Sequence, residues 1–374
     1  MKKNVVNFII LSMLGIWGTW GEIKADAMIH TDQSNYPSSS ETTAVSQNLE
    51  TKQSLESYGN VTKDSSLWQD TSFKKQIGKS GKFLNITLKI TEKIDKKNGE
   101  SYFRLENNQK KFIGYINVNA ISIANGQEGN YFNENRYITV NKAWPSYRTL
   151  GWDPDNVFNT HYYPSSQWPQ KNIGAKLVNK TYKVTSSYNH FNGATYYVII
   201  DNTNNFMGYI DSRATKIAAG AQGTWQPENR YITVMKNYNS YKNFNKWTVA
   251  SKYTSLKYHT YKVTGKYTHF NGNTYYSIVN NKNKWVGYIN SQGTYKGKGQ
   301  QGSYISTNKK VRIISKNYNI YSNFNWKIKS STKNRLNKTY IAKTMYRHFN
   351  GSLYYSIYTP GGTWIGYINA TGTK

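Results

Sequence analysis

The feature that most constrains this chain is an internal repeat with a period of 79 residues. The tetrapeptide His-Phe-Asn-Gly ends at Gly193, Gly272 and Gly351, so successive copies are 79 residues apart. A Gly-Tyr-Ile step follows each copy and occurs four times in the chain, starting at Gly114, Gly208, Gly287 and Gly366. Self-similarity at a fixed period indicates that one small structural unit is repeated along the chain.

The repeated segments predict the domain boundaries. We place four modules at 58–123, 136–217, 230–296 and 310–374, of which the first is the most divergent. The second module carries a 15-residue insertion within 145–169, and short spacers containing Gly and Gln join the modules. The preceding segment, 28–57, is rich in Ser, Thr and Gln and poor in aliphatic residues. We therefore predict that this segment is a disordered linker.

Within a module the sequence pattern predicts strands and tight turns. In the third module, 260–267 and 274–279 are rich in β-branched and aromatic residues, and Asn271-Gly272 between them favours a type I′ hairpin turn. A further strand over 285–290 would complete a three-stranded meander. Helical periodicity is weak, so we predict an all-β fold of four tandem, small, SH3-like barrels.

Most aromatic residues are predicted to pack within or across these strands. Successive residues of a strand point to opposite faces of the sheet. We therefore expect one of the paired Tyr275 and Tyr276 to be buried and the other to be exposed.

The N-terminus predicts export from the cell. Two lysines precede an apolar run from Val5 to Trp20, and the segment closes on Ala25-Asp26-Ala27, which is the pattern of a secretory signal peptide over 1–27. An uncleaved N-terminal anchor is the alternative, because the apolar run is close to the length of a bilayer span. No cysteine is present, which excludes disulfides and thiol chemistry. We expect a secreted protein without a transmembrane anchor after signal cleavage.

The charge is strongly positive and unevenly distributed. The chain has a formal net charge of +30, and 229–374 contains 24 Lys or Arg and no Asp or Glu. The many positive charges of this chain repel one another, so an anionic partner is expected. A basic chain rich in aromatic residues is also typical of nucleic-acid binding. The predicted export signal favours an extracellular polyanion instead, and no nucleic-acid partner is predicted.

The order of the motifs resembles a known family. The Arg-Tyr-Ile-Thr-Val segments that begin at Arg136 and Arg230, the Asn-Gly-x-x-Tyr-Tyr hairpin and the Trp-x-Gly-Tyr-Ile segment from Trp285 are similar to GW-type, SH3-like cell-wall-binding repeats of Gram-positive bacteria. The Gly-Trp dipeptide that names the family is Gly-Tyr here, which keeps a ring but lacks the indole N–H. The resemblance implies noncovalent retention on the wall through teichoic or lipoteichoic acid, with sulfated glycans as further ligands.

We therefore predict a non-enzymatic, secreted, cell-wall-associated protein that binds anionic wall polymers. One basic residue near an anionic surface contributes about 1 kcal/mol, and tandem modules can gain roughly 10² to 10⁴ in affinity by avidity. Two alternatives stay open. One is a glycan-binding adhesin that uses the insertion at 145–169, and the other is the targeting region of a wall hydrolase that lacks its catalytic domain.

No catalytic residue, metal site or cofactor is predicted. The third and fourth modules have no Asp or Glu for acid–base chemistry, and three of the six histidines occur at the same turn of successive modules rather than in a cluster. Histidines are therefore assigned to turn or surface structure. The best enzymatic candidate is the group Asp153, Asp155 and His161, for which a Pro-braced surface loop is the structural alternative.

The predicted binding residues fall into two sets. The predicted polyanion-binding residues are Arg136, Lys142, Arg230, Lys236, Lys262, Lys266, Lys282, Lys284, Arg312, Lys316, Lys327, Lys329 and Lys333. The predicted glycan-stacking residues are Trp144, Trp152, Trp168, Trp285 and Trp364. For the lysines, the absence of nearby carboxylates in the sequence is what favours binding over a role in solubility.

Overall fold

The computed structural model describes residues 51–151 and 164–374. Over these residues the strands form four antiparallel sheets, three of seven strands and one of six, which fits an array of small β modules. The predicted all-β fold is confirmed. No helix in the described part of the chain is long and apolar enough to cross a membrane. The predicted signal peptide and residues 28–50 of the predicted linker lie outside the described residues.

The first two sheets are built from short strands joined mostly by tight turns. The strands of the first sheet are β1 (Thr51–Val61), β2 (Ser66–Trp68), β3 (Gln76–Lys79), β4 (Thr87–Asp95), β5 (Ser101–Glu106), β6 (Phe112–Asn117) and β7 (Ile121–Ala124). Those of the second are β8 (Tyr131–Val140), β9 (Ser146–Tyr147), β10 (Gln170–Asn172), β11 (Thr181–Asn189), β12 (Thr195–Ile200), β13 (Phe206–Asp211) and β14 (Thr215–Ala218).

The last two sheets repeat this plan. The strands of the third sheet are β15 (Gln226–Val234), β16 (Ser240–Tyr241), β17 (Val249–Ser251), β18 (Thr260–Thr268), β19 (Thr274–Val279), β20 (Trp285–Asn290) and β21 (Thr294–Lys296). Those of the fourth are β22 (Ile305–Arg312), β23 (Asn319–Tyr321), β24 (Ile328–Ser331), β25 (Thr339–Arg347), β26 (Leu353–Tyr358) and β27 (Trp364–Asn369).

The seven-stranded sheets share one strand order, which in the first is β3-β2-β6-β5-β4-β1-β7. The fourth runs β22-β25-β26-β27-β23-β24, and a single bridge between Ile313 and Thr373 lies where the other sheets have their last strand. Helical segments in the described residues are short. They are α1 (Gly174–Leu177), α2 (Tyr253–Leu256) and the 3-10 turns Ser80–Phe83, Val118–Ala120, Ser165–Gln167, Ser212–Ala214, Ser291–Gly293 and Ala370–Gly372.

The first module begins earlier than the sequence predicted. β1 starts at Thr51 and pairs with the end of β4, where Thr51 lies opposite Asp95 and Lys52 lies opposite Ile94. Residues 51–57 therefore lie in a strand rather than in the predicted disordered linker. Their polar composition fits this place, because their side chains are mostly exposed and the partner strand supplies the backbone hydrogen bonds.

Each sheet is bent by a bulge at an equivalent position. The register shifts between Ile90 and Glu92 in the first sheet and between Val263 and Gly265 in the third, with equivalent shifts in the second and fourth. A bulge increases the local twist of the strand, so the sheet can curl around its own side chains. Each curled sheet encloses an aliphatic core, in which Val263 and Ile278 of the third module are fully buried.

A second, aromatic layer covers the other face of the central strands. In the third module Tyr275 is buried beside Phe244, Trp247 and His269, with ring centroids 5.3 to 5.9 Å apart. Its neighbour Tyr276 packs against the aliphatic core. Both faces of this strand are covered, so the prediction that one tyrosine is exposed is wrong.

The His-Phe-Asn-Gly turn differs from the predicted type. The N–H of Gly272 donates to the carbonyl of His269 at 2.9 Å, and the N–H of His269 donates to the carbonyl of Asn273 at 2.8 Å. Gly272 has a φ of +84°, whereas Asn271 is not among the residues with positive φ. The loop is therefore a type I turn followed by a left-handed glycine, and not a type I′ turn. The predicted meander of β18, β19 and β20 is confirmed.

The Gly-Tyr step has a structural role in each module. Gly287 has a φ of +127°, and an added Cβ would lie 2.8 Å from Oγ of Ser240 on the neighbouring strand. Glycine therefore allows two strands to approach closely. Tyr288 enters the aromatic layer and stacks on Phe244 with centroids 4.7 Å apart.

Consecutive modules dock through the phenylalanine of His-Phe-Asn-Gly. The ring of Phe270 lies edge-to-face against Tyr137 of the preceding module, with centroids 5.1 Å apart. Its N–H donates to the carbonyl of Ala221 in the spacer at 2.6 Å. The equivalent ring pairs are Phe191 with Tyr58 and Phe349 with Tyr231, at 5.0 and 5.1 Å. We refer to these module contacts, in chain order, as the first, second and third joints.

A glycine in each spacer completes the joint. At the second joint Gly223 has a φ of +81°, and an added Cβ would lie 2.1 Å from Oγ1 of Thr181. That hydroxyl donates to the carbonyl of Thr268 in the next module at 2.6 Å, and the N–H of Thr224 donates to Oγ1 of Thr139 at 2.8 Å. The equivalent glycines are Gly129 and Gly302. Neighbouring modules are therefore docked on each other, a point that sequence reasoning left open.

Candidate functional site

The histidines of the repeated turn have a structural role. His190, His269 and His348 are each buried, and Nδ1 of each accepts a 3.0 Å hydrogen bond from the backbone N–H two residues later. Burial lowers the pKa of all three, that of His190 to about 4. The assignment to turn structure is confirmed, although these side chains lie in the aromatic layer and not at the surface. Among the described residues, no group of three or more His, Asp or Glu could hold a metal ion.

Three of the predicted polyanion-binding residues already have acidic partners. Nε of Arg136 donates to Glu134 at 2.7 Å. Arg230 and Lys266 share Glu228, at 2.7 and 3.1 Å. The lysines were predicted to lack acidic neighbours, and for Lys266 that part of the prediction is wrong. Residues two apart on a strand face the same side of the sheet, which brings each arginine next to its carboxylate.

The remaining predicted cations lie in the acid-free part of the chain, apart from Lys142. Those with exposed side chains are Lys142, Lys236, Lys282, Lys284, Arg312, Lys316, Lys327, Lys329 and Lys333, and Lys262 is half-buried. These cations lie on strands, turns and module ends, and they are not gathered in one cluster. Only Lys236 lies at the larger aromatic cleft of the third joint, and only Lys284 lines a second cleft at that joint.

The predicted stacking tryptophans in and directly before the insertion are not equivalent. Trp168 is only 4% exposed and lies between Tyr147 and Tyr196, so the prediction that it stacks on a sugar is wrong. Its burial completes the aromatic layer of the second module. Trp144 is 38% exposed, and Nζ of Lys142 lies 4.6 Å from its ring centroid. Trp152, and the candidate catalytic group Asp153, Asp155 and His161, lie outside the described residues.

The two hairpin-end tryptophans differ in exposure, since Trp285 is exposed and Trp364 is half-buried. Trp285 is 42% exposed, and its indole N–H donates to Oγ of Ser277 at 3.1 Å. The indole N–H of Trp364 donates to Ser356 at 3.0 Å, and Nζ of Lys329 lies 4.0 Å from the ring centroid. Because each indole N–H already has a partner, these rings can offer a ligand stacking rather than a hydrogen bond.

A cleft of about 770 Å³ at the third joint combines exposed cations with aromatic rings. We name it the tyrosine–lysine cleft, and its defining residues are Lys236, Lys296, Lys298, Tyr295, Tyr304, Phe324, Tyr346 and Tyr367. The three lysines are exposed, and the surrounding sequence 229–374 has no Asp or Glu. The cleft is therefore electropositive, with an aromatic floor.

The floor of the cleft is preorganised by ring contacts. Phe324 lies 5.0 Å from Tyr346 and 4.6 Å from Tyr367, centroid to centroid. Burial raises the pKa of Tyr346 to about 12, so its hydroxyl is a neutral hydrogen-bond donor at physiological pH. Tyr304 and Tyr295 are largely exposed above this floor. Rings in this arrangement can pack on the C–H faces of a sugar or polyol while the lysines contact its anionic groups.

The same position is lined differently at the other two joints. At the first joint a cleft of about 570 Å³ contains Glu128, whose Oε2 is buried without a hydrogen-bond partner among the described residues. Burial raises the pKa of this carboxyl. At the second joint the ring of Trp225 lies on Gly265 and 5.3 Å from Tyr267, where it covers the aromatic floor. The cationic, open form of the cleft is therefore the one at the third joint.

Sequence reasoning missed most of this cleft. Lys296 is the last residue of the predicted third module, and Lys298 and Tyr304 belong to the spacer after it, for which the sequence predicts only a short connection. A signal was present, because the third spacer has Lys298 where the first has Asn125. Tyr304 also has aromatic counterparts, Tyr131 and Trp225, after the other two spacers.

No protein-family model and no curated protein matches the chain. Among solved structures it is similar to a chain described as a "putative autolysin from Listeria monocytogenes", with a TM-score of 0.22 and 15% sequence identity. The match covers 66% of this chain and 98% of that chain. A likeness this distant carries no argument about function, so the resemblance to GW-type repeats stays a prediction from sequence.

Proposed function

We propose that this protein is a non-enzymatic, secreted protein that is retained on the bacterial cell wall by binding anionic wall polymers of the teichoic or lipoteichoic acid class. The observation that carries the proposal is the tyrosine–lysine cleft, which lies within 146 residues that contain 24 cations and no acidic side chain. A polyol-phosphate chain alternates anionic groups with C–H surfaces. The cleft offers partners for both, with lysines around an aromatic floor.

The docked joints support this proposal through their effect on avidity. Three exposed lysines contribute about 1 kcal/mol each near an anionic surface, which alone yields roughly millimolar affinity. Docking holds the cationic surfaces of neighbouring modules at fixed separations, so a long polymer can contact several of them without further ordering of the protein. Affinity then accumulates by avidity.

The test is retention of the purified protein on isolated Gram-positive cell walls at increasing NaCl concentrations. We expect strong retention at low salt and loss of retention at several hundred millimolar, because exposed ion pairs are screened. Walls from which teichoic acid has been extracted should retain much less protein. Equal retention on intact and extracted walls would refute the proposal.

A pair of variants locates the binding surface. The triple variant Lys236→Gln, Lys296→Gln and Lys298→Gln removes the lysines of the tyrosine–lysine cleft. The control, Lys74→Gln, Lys75→Gln and Lys79→Gln, removes the same charge from exposed positions of the first module. The cleft variant should dissociate at lower salt than the control. Identical salt profiles would show that net charge, and not the cleft, determines retention.

A further inference from the structure

A second cleft at the third joint, of about 620 Å³, lies where the His-Phe-Asn-Gly turn of the fourth module meets the third module. We name it the joint cleft, and its lining includes Lys242, Lys284, Trp285, His259 and Arg347. Nδ2 of Asn281 donates to the carbonyl of Asn350 across the joint at 3.0 Å. This contact holds a wall of the third module against the turn of the fourth, so the cleft belongs to the docked pair.

Arg347 is the fourth module's cation in this cleft. Its Nε atom is buried, and no described group accepts a hydrogen bond from it. A buried donor without a partner costs about 1 to 3 kcal/mol, and more when the group is charged. Burial, and to a smaller extent the positive charge of Arg347, lowers the pKa of His259 in the third module. The charge of Arg347 therefore acts across the joint. The lining of the joint cleft thus includes a guanidinium group with an unused donor.

Among the described residues that line the joint cleft there is no Asp or Glu. Lys242, Lys284 and Arg347 all lie in the part of the chain without Asp or Glu. The residues at the equivalent positions are Gln69, Lys111 and Asn189 at the first joint and Arg148, Asn205 and Thr268 at the second. Each of those joints has one cation where the third has three.

The equivalent of Arg347 at the first joint shows how this position is satisfied without a ligand. Nδ2 of Asn189 donates to the carbonyl of Asn85 in the preceding module at 3.0 Å. Arginine is longer and charged, and its Nε finds no acceptor among the described residues. The position that makes a contact between modules at the first joint, where it is asparagine, therefore places a cationic group beside an open cleft at the third joint, where it is arginine.

We propose that the joint cleft binds one phosphate group of a polyol phosphate or sugar phosphate, with Arg347, Lys242 and Lys284 as its ligands. A guanidinium group binds phosphate through two parallel N–H donors, and lysines add point charges. The exposed ring of Trp285 borders the cleft and can cover the carbon chain that carries the phosphate. The volume is within the usual range for small-molecule sites. This inference rests on the proposed function, because it assigns one phosphate subsite within the polymer.

The test is isothermal titration calorimetry of the purified protein with glycerol 1-phosphate at constant ionic strength. Inorganic phosphate tests the charged group alone, and glycerol is the uncharged control. We expect saturable binding of one equivalent of either phosphate and no binding of glycerol. Absence of saturable binding of both phosphates, or an equal response to glycerol, would overturn the subsite.

Variants separate the guanidinium from net charge. Arg347→Gln should weaken binding roughly ten-fold, the loss of one good charged contact. Arg347→Lys keeps the charge but loses the fork of donors, and it should weaken binding less. Arg335→Gln removes the same charge from the same module outside the cleft and should bind as the wild type does. Equal affinity of Arg347→Gln and Arg335→Gln would refute the role of Arg347.

A further variant and the wall assay keep the result interpretable. Lys284 lies on an exposed turn, and Lys284→Gln should weaken phosphate binding even if Arg347→Gln perturbs the joint. Thermal melting will show whether Arg347→Gln perturbs it. Salt-sensitive, teichoic-acid-dependent wall retention without phosphate binding would overturn the subsite and leave the proposed function standing. Loss of both would overturn both.

Discussion

The buried histidine of the second module makes a pH-dependent contribution to stability that can be worked out from its contacts. His190 is 4% exposed, its Nε2 lies 3.2 Å from the carbonyl of Leu150, and its Nδ1 accepts the N–H of Asn192. Both nitrogens are therefore satisfied in the neutral form with the proton on Nε2. A second proton on Nδ1 would oppose an N–H donor inside an apolar layer.

The sign of the effect follows from the direction of the pKa shift. Burial lowers the pKa of His190 to about 4, from the value of 6.5 expected for the unfolded chain. Between these two values the unfolded chain binds the proton and the folded chain does not. The contribution of His190 to the stability of the folded chain is fully present above pH 6.5, and it is lost as the pH falls towards 4. At pH 4.5 the loss amounts to about 2.5 kcal/mol for this residue.

The measurement has two parts. NMR of the histidine-labelled protein should show His190 titrating near pH 4 as the Nε2–H tautomer, with its resonance assigned by the variant His190→Gln. Hydrogen exchange of the amides of β11 and β12 should show that the wild type loses about 2.5 kcal/mol more than His190→Gln between pH 7 and pH 4.5. A titration midpoint near 6.5, or identical pH dependence in the two proteins, would refute the reasoning.

Two further predictions concern the joints and the aromatic layer. Gly223→Ala should undock the second joint and make its spacer sensitive to limited proteolysis, at a cost of roughly 1 to 3 kcal/mol. Gly272→Ala has a similar positive φ but no atom within 4 Å of the added Cβ, so it is the control for backbone strain alone. Trp168→Ala should destabilise the second module by roughly 3 to 5 kcal/mol in thermal or urea unfolding, whereas the exposed Trp144→Ala should change stability by less than about 0.5 kcal/mol. Equal proteolysis of the two glycine variants, or equal stability of the two tryptophan variants, would contradict these expectations.

The strand pattern of a module was predictable because its determinants are local. Alternation of side chains and the turn residues lie within a few positions of one another, and they predicted the meander of β18, β19 and β20 correctly. The prediction of a type I′ turn was wrong because Asn-Gly occurs in more than one type of turn, and the additional residue of the loop decides between them. The paired tyrosines were misjudged because a strand pattern does not reveal that a second layer covers the outer face.

The joints were not predictable from one module, since their partners lie far apart in sequence. Phe270 lies in a turn, where the sequence alone predicts a side chain exposed to solvent. Its partner Tyr137 belongs to the preceding module. A comparison of the repeats carries the signal. The turn of the first module has Lys97 where the others have phenylalanine, and the structure describes no module before it for that residue to contact.

The candidate site was predictable only in its overall charge. Counting charges identified the acid-free stretch 229–374, but it could not distinguish Arg230, which pairs with Glu228, from Lys236, which does not. The side-chain period of a strand would have made that distinction for residues two apart. The clefts themselves depend on which residues two modules bring together, and no pattern within one module contains this information.

The repeats therefore separate the positions that fold the protein from those that can bind. The joint glycines, the phenylalanine and its tyrosine recur at all three joints, because each is required by a close approach or a ring contact. The residues that surround these contacts vary, from Glu128 at the first joint to Trp225 at the second and Lys298 at the third. The shared contacts position a cleft, and the variable residues determine whether it is acidic, filled or cationic. Binding specificity in such an array is therefore to be sought at the variable positions beside the joints and not in the repeated motif.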